Sequence, residues 1–217
     1  MSNVTVIAID GPSASGKGTI ARELARRLGF HCLHSGVLYR LVALAAPAED
    51  EQSAAQAAAR LDLRFDEGAV YLDGEEVSAR LEDEAVGARA SRLAALPAVR
   101  QALLDRQRAF RRPPGLVAEG RDMGTVVFPD ARVKVFLTAS VEERARRRYK
   151  QLMEKGMHAS LASLSRELTE RDLRDSARSA APLAAAPDAR LLDSTHVEPQ
   201  EVVARILAWY REAAGTG

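Results

Sequence analysis

The sequence predicts an α/β protein built on a five-stranded parallel sheet. Short apolar runs alternate with helical patterns along most of the 217 residues. The first run, residues 4–9, is nearly all β-branched, which is typical of a buried parallel strand. A glycine-rich loop follows it directly, and then Ile20, Leu24 and Leu28 recur at helical spacing. Strand, loop and helix in this order are expected to form one end of the sheet's ligand-binding edge.

The loop matches the phosphate-loop pattern, in which a glycine is followed by four residues and then Gly-Lys. It comprises Gly11, Pro12, Ser13, Ala14, Ser15, Gly16, Lys17, Gly18 and Thr19. Backbone N–H groups at a helix N-terminus bind anions, and Lys17 can reach the outer phosphates of a nucleotide. Most such loops place a magnesium-binding Ser or Thr directly after the lysine. Because Gly18 stands there, we expect Mg²⁺ to be held mainly by nucleotide phosphates and water.

The next elements follow from local patterns. An apolar run at 30–33 predicts a second strand, and Ser35 is a candidate cap for the helix that continues to Ala45. An alanine-rich helix is expected at 49–60. From Leu61 the apolar period becomes that of a strand, and Asp73-Gly74 predicts a hairpin turn.

The second half returns to alternating helices and strands. Pro97 is placed to open a helix. Strands are predicted at 116–118, 133–137 and 190–193, and helices at 141–154, 160–176 and from Pro199 to Trp209. The predicted architecture is a core of residues 1–60 and 92–217 with an antiparallel insert at 61–91. On pattern alone, that insert is either a surface addition or an arm that closes over a substrate.

Composition restricts the function. Apolar residues make up 47% and charged residues 28% of the chain, as in ordinary globular proteins. The net charge of +1 argues against a general nucleic-acid binder. Cys32 is the only cysteine, so an internal disulfide is excluded and a reducing compartment fits. With no membrane span or signal peptide recognised, we expect a cytoplasmic monomer.

Two groups of charged residues are candidates for chemistry. Gly120-Arg121-Asp122 follows a predicted core strand, at the edge where parallel sheets bind ligands. Arg171, Arg174, Asp175 and Arg178 have the spacing of one helical stripe. A pair such as Arg171 and Asp175 could simply stabilise the helix by about 0.3–0.5 kcal/mol. The surplus of arginine instead suits a phosphate group, which guanidinium binds through two parallel hydrogen bonds.

The arginine-rich run at 144–148 has a simpler interpretation. Such a run is usually a solvated helix face, although an RNA-binding patch is an alternative. We expect the side that faces the nucleotide to contribute one or two residues at most. The arginines elsewhere favour transfer of a phosphoryl group to another phosphate. That acceptor needs no catalytic base, because phosphate is mostly ionised at pH 7. It needs positive charge to bring two anions together.

Four motifs together resemble bacterial cytidylate kinases, a family of nucleoside monophosphate kinases. They are Ile9-Asp10-Gly11-Pro12-Ser13 through Gly16-Lys17-Gly18-Thr19, Ser35-Gly36 with Leu38-Tyr39-Arg40, Gly120-Arg121-Asp122-Met123-Gly124-Thr125 through Pro129, and Arg171-Asp172 through Arg174-Asp175 with Arg178 and Ala181-Pro182-Leu183. The resemblance spans nearly the whole chain. It implies a phosphate-loop kinase with a substrate-binding insert and a helical lid at about 151–163.

The resemblance also implies roles for individual residues. The loop residues would bind ATP, and Lys17, Arg121, Arg171 and Arg178 would be catalytic. The implied CMP ligands are Ser35, Arg40, Ser91, Arg100, Arg121, Asp122, Arg171, Asp175 and Arg178. Within that set Ser91, Arg100 and Asp122 would read cytosine, and Asp175 would bind the ribose hydroxyls. The expected reaction transfers the γ-phosphoryl group of ATP, with Mg²⁺, to CMP or dCMP.

The chain departs from the family pattern at His34, Glu119 and Ala14. We assign no role to His34 or Glu119, and we expect the remaining glycines of the loop to allow its turn. Two alternatives remain open at this point. One is a phosphate-loop kinase for another small acceptor, and the other is a nucleotide-gated RNA-binding protein.

Overall fold

The computed structural model describes residues 4–66, 68–154 and 156–215. The chain divides into two units, Met1–Leu33 with Phe110–Gly217 and His34–Ala109. The predicted bounds of the insert, 61–91, and of the lid, 151–163, stay predictions. Position 155 of that lid lies outside the described residues.

The larger unit is built on a parallel sheet of five strands: β1 (Thr5–Asp10), β2 (His31–His34), β6 (Gly115–Gly120), β7 (Val133–Thr138) and β8 (Arg190–Asp193). Across the sheet they lie in the order β2-β6-β1-β7-β8. Strand β1 lies at the centre and pairs with β6 through Asp10 opposite Gly120. The carboxyl ends of β1 and β6 therefore lie side by side, which confirms the predicted sheet.

The helices of the larger unit are α1 (Lys17–Leu28), α6 (Val141–Glu154), α7 (Leu161–Ser176) and α8 (Pro199–Gly215). They bury their apolar faces in two clusters: α1 and α8 pack on the sheet, and α6 and α7 pack on each other. One core cluster joins Ile7 and Ile9 of β1 with Leu24 of α1 and Ile206 of α8. Helix α8 continues past Trp209, where the sequence pattern placed its end.

The smaller unit contains helices and a separate antiparallel sheet. Its helices are α2 (Ser35–Ala45), α3 (Glu51–Arg60), α4 (Glu84–Leu93) and α5 (Pro97–Arg108), and its strands are β3 (Leu63–Asp66), β4 (Ala69–Leu72) and β5 (Glu75–Glu76). The β4–β5 turn has positive φ at Asp73 (51°) and Gly74 (83°), as a two-residue hairpin turn requires. The predicted hairpin is confirmed, and so is Pro97 as the first residue of α5.

Two local predictions were wrong. Ser35 is not the cap of α2 but its first residue, and His34 occupies the cap position. Arg178 does not continue the α7 stripe, because the helix ends at Ser176. Each error has the same physical cause: helix ends depend on tertiary contacts that side-chain spacing does not record.

The phosphate loop takes an unexpected backbone form at Ala14. This residue has φ of 59°, in the left-handed region, besides Gly11 (148°) and Gly16 (93°). We expected the glycines to make the turn without it. A Cβ in the left-handed region clashes with the neighbouring carbonyl, which costs about 1–2 kcal/mol. The loop therefore stores strain at Ala14.

Replacing Ala14 with glycine should relieve this strain. We expect Ala14→Gly to raise the free energy of unfolding by about 0.5–1 kcal/mol, because the relief exceeds the entropy gained by the unfolded chain. Ala55→Gly in α3 is the matched control and should lower it by about 1 kcal/mol. Chemical denaturation of both variants measures this, and a loss of stability in Ala14→Gly would contradict the inferred strain.

Candidate functional site

The phosphate loop begins with a close backbone contact. A Cβ on Gly11 would lie 2.0 Å from the carbonyl oxygen of Leu137 in β7, so only glycine fits there. The loop then turns through Gly16, which is the N-cap residue of α1. Its amides and the helix N-terminus together have the geometry of an anion site.

Lys17 lies buried at the start of α1. Its Nζ donates to the carbonyl oxygen of Pro12 at 2.6 Å and to Ser15 Oγ at 3.3 Å. Burial is the largest cause of a low pKa at Lys17; together with the charges of Arg121 and Arg171, and against the opposing effects of Glu119 and Asp10, it lowers the pKa to about 7. An arriving anion would favour the charged amine.

The outer side of the loop is held by arginines of α6. Arg144 is 3% exposed, and it donates to the carbonyl oxygens of Ala139 and Ser13 and to Asp172 Oδ2. Arg147 donates to the carbonyl oxygen of Ser15 at 3.2 Å and to Ser194 Oγ at 3.1 Å. Because the arginines bind these loop carbonyl groups on the outer side, the loop amides can point to the inner side, where a ligand would bind.

This geometry corrects the interpretation of the 144–148 run as a solvated face. Arg146 fits that interpretation, since it is exposed and pairs with Glu143 of its own helix. Arg144 and Arg147 do not, because their guanidinium groups support the phosphate loop. The same engagement weakens an RNA-binding surface on this helix.

Three arginines gather around Asp175 of α7. The carboxylate is 1% exposed and accepts from Arg121 Nε at 2.9 Å and from Arg178 Nη2. Burial alone would raise the pKa of Asp175, but the charges of Arg121, Arg178 and Arg171 outweigh it and hold the pKa below its ordinary value. The cluster therefore carries three positive charges against one negative charge.

Arg121 and Arg171 also act electrostatically on Lys17. The four residues proposed as catalytic thus belong to one electrostatic group in the larger unit. Arg174 of the predicted stripe is exposed, whereas Asp175 is buried. The group has the surplus positive charge that a phosphate-rich ligand requires.

Asp122 follows Arg121 and is 3% exposed. Directly after it, Met123–Val127 form a single π-helical turn. The amides of Met123 and Gly124 donate to the two oxygens of Asp10, at 2.8 and 2.7 Å. The segment that carries Arg121 and Asp122 is therefore attached to the end of β1.

In the smaller unit, Arg40 lies against α4 and the turn before it. Its Nη1 donates to the carbonyl oxygens of Leu81 and Asp83. A Cβ on Gly87 would lie 2.5 Å from Arg40 Nη2, so the bare helix surface at this glycine makes room for the guanidinium group. Ser35 at the start of α2 is buried.

Ser91 of α4 and Arg100 of α5 are also buried in the smaller unit. Arg100 donates to the carbonyl oxygen of Ala94 at 3.0 Å. Its guanidinium carbon lies 5.6 Å from the centre of the Tyr39 ring, within range of a cation–π contact. Two of the three residues proposed to read cytosine are thus held inside this unit.

The described residues contain no group of three or more His, Cys, Asp or Glu side chains placed to hold a metal ion. None of the helices in the described part of the chain is long and apolar enough to cross a membrane.

A family model described as cytidylate kinase matches residues 7–212. The cytidylate kinase of Bordetella bronchiseptica is 57% identical over 211 residues, which are 95% of this chain and 95% of that protein. That of Ralstonia pickettii is 58% identical over 215 residues, covering 97% and 93% of the two chains.

The chain belongs to the cytidylate kinase family.

Another relative and one solved structure extend the comparison. The cytidylate kinase of Chromobacterium violaceum is 53% identical over 219 residues and covers 99% of both chains. An uncharacterized protein from Eubacterium ventriosum superimposes with a TM-score of 0.52 at 12% identity, covering 94% of this chain and 97% of the other. At that identity the likeness concerns the fold alone.

Sequence reasoning missed several residues that build the site. Four residues were not named as site residues, although their contacts shape the loop and the turn after Asp122: Asp10, Arg144, Arg147 and Ser194. The position of Asp10 at the end of a core strand was a usable signal, since a carboxylate there must find partners. Arg144 and Arg147 lie on a different face of α6 from Arg146. Because the run places arginine on several faces of the helix, the sequence does not show which face is buried.

The contrast between Arg144 and Arg146 is testable. Arg144→Ala should lower the free energy of unfolding by about 3 kcal/mol, because it leaves Asp172 and two carbonyl groups without their donor. The matched control Arg146→Ala, on the exposed face of the same helix, should change it by less than about 0.5 kcal/mol. Urea denaturation of the two variants makes the comparison, and equal effects would refute the supporting role of Arg144.

Proposed function

We propose that the protein transfers the γ-phosphoryl group of ATP to CMP or dCMP, giving ADP and the pyrimidine diphosphate. The observation that carries this proposal is the electrostatic group of Lys17, Arg121, Arg171 and Arg178 around a single buried carboxylate, Asp175. This surplus charge suits two phosphate-bearing ligands better than one. Membership of the cytidylate kinase family supports the choice of acceptor.

The proposed mechanism depends on position and charge. The CMP phosphate is already ionised at neutral pH, so no side chain has to remove a proton from the nucleophile. Lys17 and the amides of the loop hold the phosphates of ATP. Arg121, Arg171 and Arg178 bind the CMP phosphate and the transferring group, and they stabilise the charge that spreads over it in the transition state.

Asp175 is proposed to act in two ways. Its oxygens orient Arg121 and Arg178, as their hydrogen bonds indicate. The family resemblance adds contact with the ribose hydroxyls of the acceptor. Since dCMP retains one of the two hydroxyls, we propose that both nucleotides are substrates.

The base is proposed to be read by hydrogen bonding. Asp122 accepts from the amino group of cytosine, and Ser91 and Arg100 donate to its ring nitrogen and carbonyl oxygen. Uracil would place a carbonyl oxygen against the carboxylate of Asp122. A mismatched buried polar group costs about 1–3 kcal/mol, so CMP is preferred over UMP. Ser35 and Arg40 are proposed as further ligands of CMP.

Mg²⁺ is proposed to enter with ATP, as part of that substrate. Gly18 supplies no hydroxyl at the position that binds magnesium in most phosphate loops.

Residues near 151–163 are proposed as the lid that excludes water from the γ-phosphate. With a lone cysteine, the protein is proposed to work in the cytoplasm.

The function is tested with a panel of acceptors. With ATP as donor, CMP and dCMP should be phosphorylated faster than UMP, AMP and GMP in a coupled ADP-release assay. Asp122→Ala should reduce the ratio of kcat/KM for CMP over UMP by roughly tenfold, because the mismatch with uracil disappears. A ratio that stays unchanged would remove Asp122 from base recognition. Turnover of none of the monophosphates, together with salt-sensitive RNA binding, would favour the alternative class.

Lys17 predicts a pH dependence of ATP binding. Its pKa of about 7 means that the free site loses the charged amine as pH rises above 7, whereas bound phosphate favours that charge. The affinity for MgATP should therefore fall by several-fold per pH unit above pH 7, approaching a tenfold fall per unit. Isothermal titration calorimetry between pH 6.5 and 8.5 measures it.

Lys17→Arg is the control for this measurement, because a guanidinium group stays charged across the range. It should bind MgATP with an affinity that varies little with pH. A matching pH dependence in the two proteins would assign the effect to ATP itself.

A further inference from the structure

Asp10 is a buried carboxylate to which the proposed reaction assigns no task. It is the last residue of β1, and only 4% of its surface is exposed. Burial raises its pKa to about 6, although the amides of Gly124 and Met123 and the charge of Lys17 oppose that rise. At neutral pH the protein therefore keeps a buried, mostly ionised group at a cost in stability.

The partners of Asp10 lie on the segment that follows Asp122. Its Oδ1 accepts from the Met123 amide at 2.8 Å and its Oδ2 from the Gly124 amide at 2.7 Å. Bonds to a charged acceptor are stronger than neutral ones. Both donors belong to the first residues of the π-helical turn, and the amides of Val126 and Val127 bind back to the Asp122 carbonyl. The carboxylate thus fixes the turn from which Arg121 and Asp122 emerge.

Gly124 completes this contact. A Cβ at that position would lie 3.2 Å from the side chain of Lys134 and 3.4 Å from Asp10 Oδ2. The side chain of Lys134 is held in turn by Asp188, with Nζ 2.9 Å from its carboxylate. A side chain at this position would therefore press mainly on Lys134, while Asp10 would be at ordinary van der Waals distance.

Asp10 also stands directly before Gly11, the first residue of the phosphate loop. Because Asp10 lies opposite Gly120 in the sheet, the loop and the Arg121–Asp122 segment follow directly after adjacent strands. One side chain thus connects the strand that leads into the donor loop with the segment that carries two proposed acceptor ligands.

We propose that Asp10 is a positioning residue that fixes Arg121 and Asp122 for the acceptor nucleotide by binding the amides of Met123 and Gly124. This inference rests on the proposed function of Arg121 and Asp122. It assigns Asp10 an effect on the binding of the acceptor nucleotide, which a residue that serves only stability would not have.

Asp10→Asn tests the inference with almost no change of shape. The amide oxygen can accept one of the two bonds, but the NH₂ group faces the other amide as a second donor. We expect the KM for CMP to rise by about tenfold, the value of one charge-assisted hydrogen bond, and the preference for CMP over UMP to fall. The KM for ATP should rise less than the KM for CMP, because the lost bonds lie on the acceptor segment and only the charge of Asp10 acts on Lys17.

The control is Asp50→Ala, which removes a helix cap in the smaller unit, where the Asp50 carboxylate accepts from the Ser53 amide. This variant loses stability without touching the site, so its kinetic constants should match those of the wild type. Asp10→Ser, whose hydroxyl is small and can accept one bond, takes the place of Asp10→Asn if that variant does not fold.

The outcomes separate the two proposals. If the wild-type protein does not phosphorylate CMP, the proposed function fails. If it does, and Asp10→Asn changes stability but leaves the KM for CMP and the preference over UMP intact, the positioning role is wrong. Equal increases in both KM values would also overturn it, and so would failure of both Asp10 variants to fold, since Asp10 would then serve folding.

Discussion

The contact between Gly11 and the carbonyl oxygen of Leu137 determines how the chain leaves the central strand. A Cβ on Gly11 would lie 2.0 Å from that oxygen, which is far closer than any allowed contact. The end of β1 can therefore lie this close to β7 only with glycine at the turn. This contact sets the direction of the phosphate loop. The left-handed residues Ala14 and Gly16 then turn the loop into α1.

A loop of this form needs support from outside. Its amides can face a ligand only if its carbonyl groups find other partners, because buried carbonyl groups are rarely left unpaired. Arg144 and Arg147 supply part of this support from α6, Ser194 adds to it from the end of β8, and Lys17 binds Pro12 from within. The strain at Ala14 persists because these contacts hold the surrounding backbone.

Much of this could be predicted from sequence because the signals were local. The alternation of strands and helices, the phosphate loop and the Asp73-Gly74 hairpin each occupy consecutive residues. The side on which Arg144 and Arg147 act could not be read from a run in which every face carries arginine. Arg178 illustrates the same limit: the helical spacing that grouped it with Asp175 is broken by the end of α7, yet its side chain still reaches the carboxylate. The partners of Asp10 are 113 and 114 positions away along the chain, and no local pattern records them.

The charged groups of the site reduce the stability of the fold. An acid whose pKa is higher in the folded than in the unfolded chain contributes fully to stability only at pH values below its unfolded pKa. This contribution disappears as the pH rises through its folded pKa. For Asp10 that window runs from 3.8 to about 6, which corresponds to about 3 kcal/mol lost by pH 7. Lys17 behaves in the opposite sense: its contribution is complete above 10.5 and is lost as pH falls through about 7.

Near neutral pH the fold therefore holds an ionised carboxylate and a partly charged amine at a cost that apolar residues would avoid. A cost of this kind is expected where function, rather than stability, selects the residue. The two groups also favour each other's charged state, since each acts on the other's pKa through its charge. The attraction between the two charges thus offsets part of the free-energy cost of burying them. An anionic ligand that stabilises the charge on Lys17 would reduce the remaining cost of burying the amine.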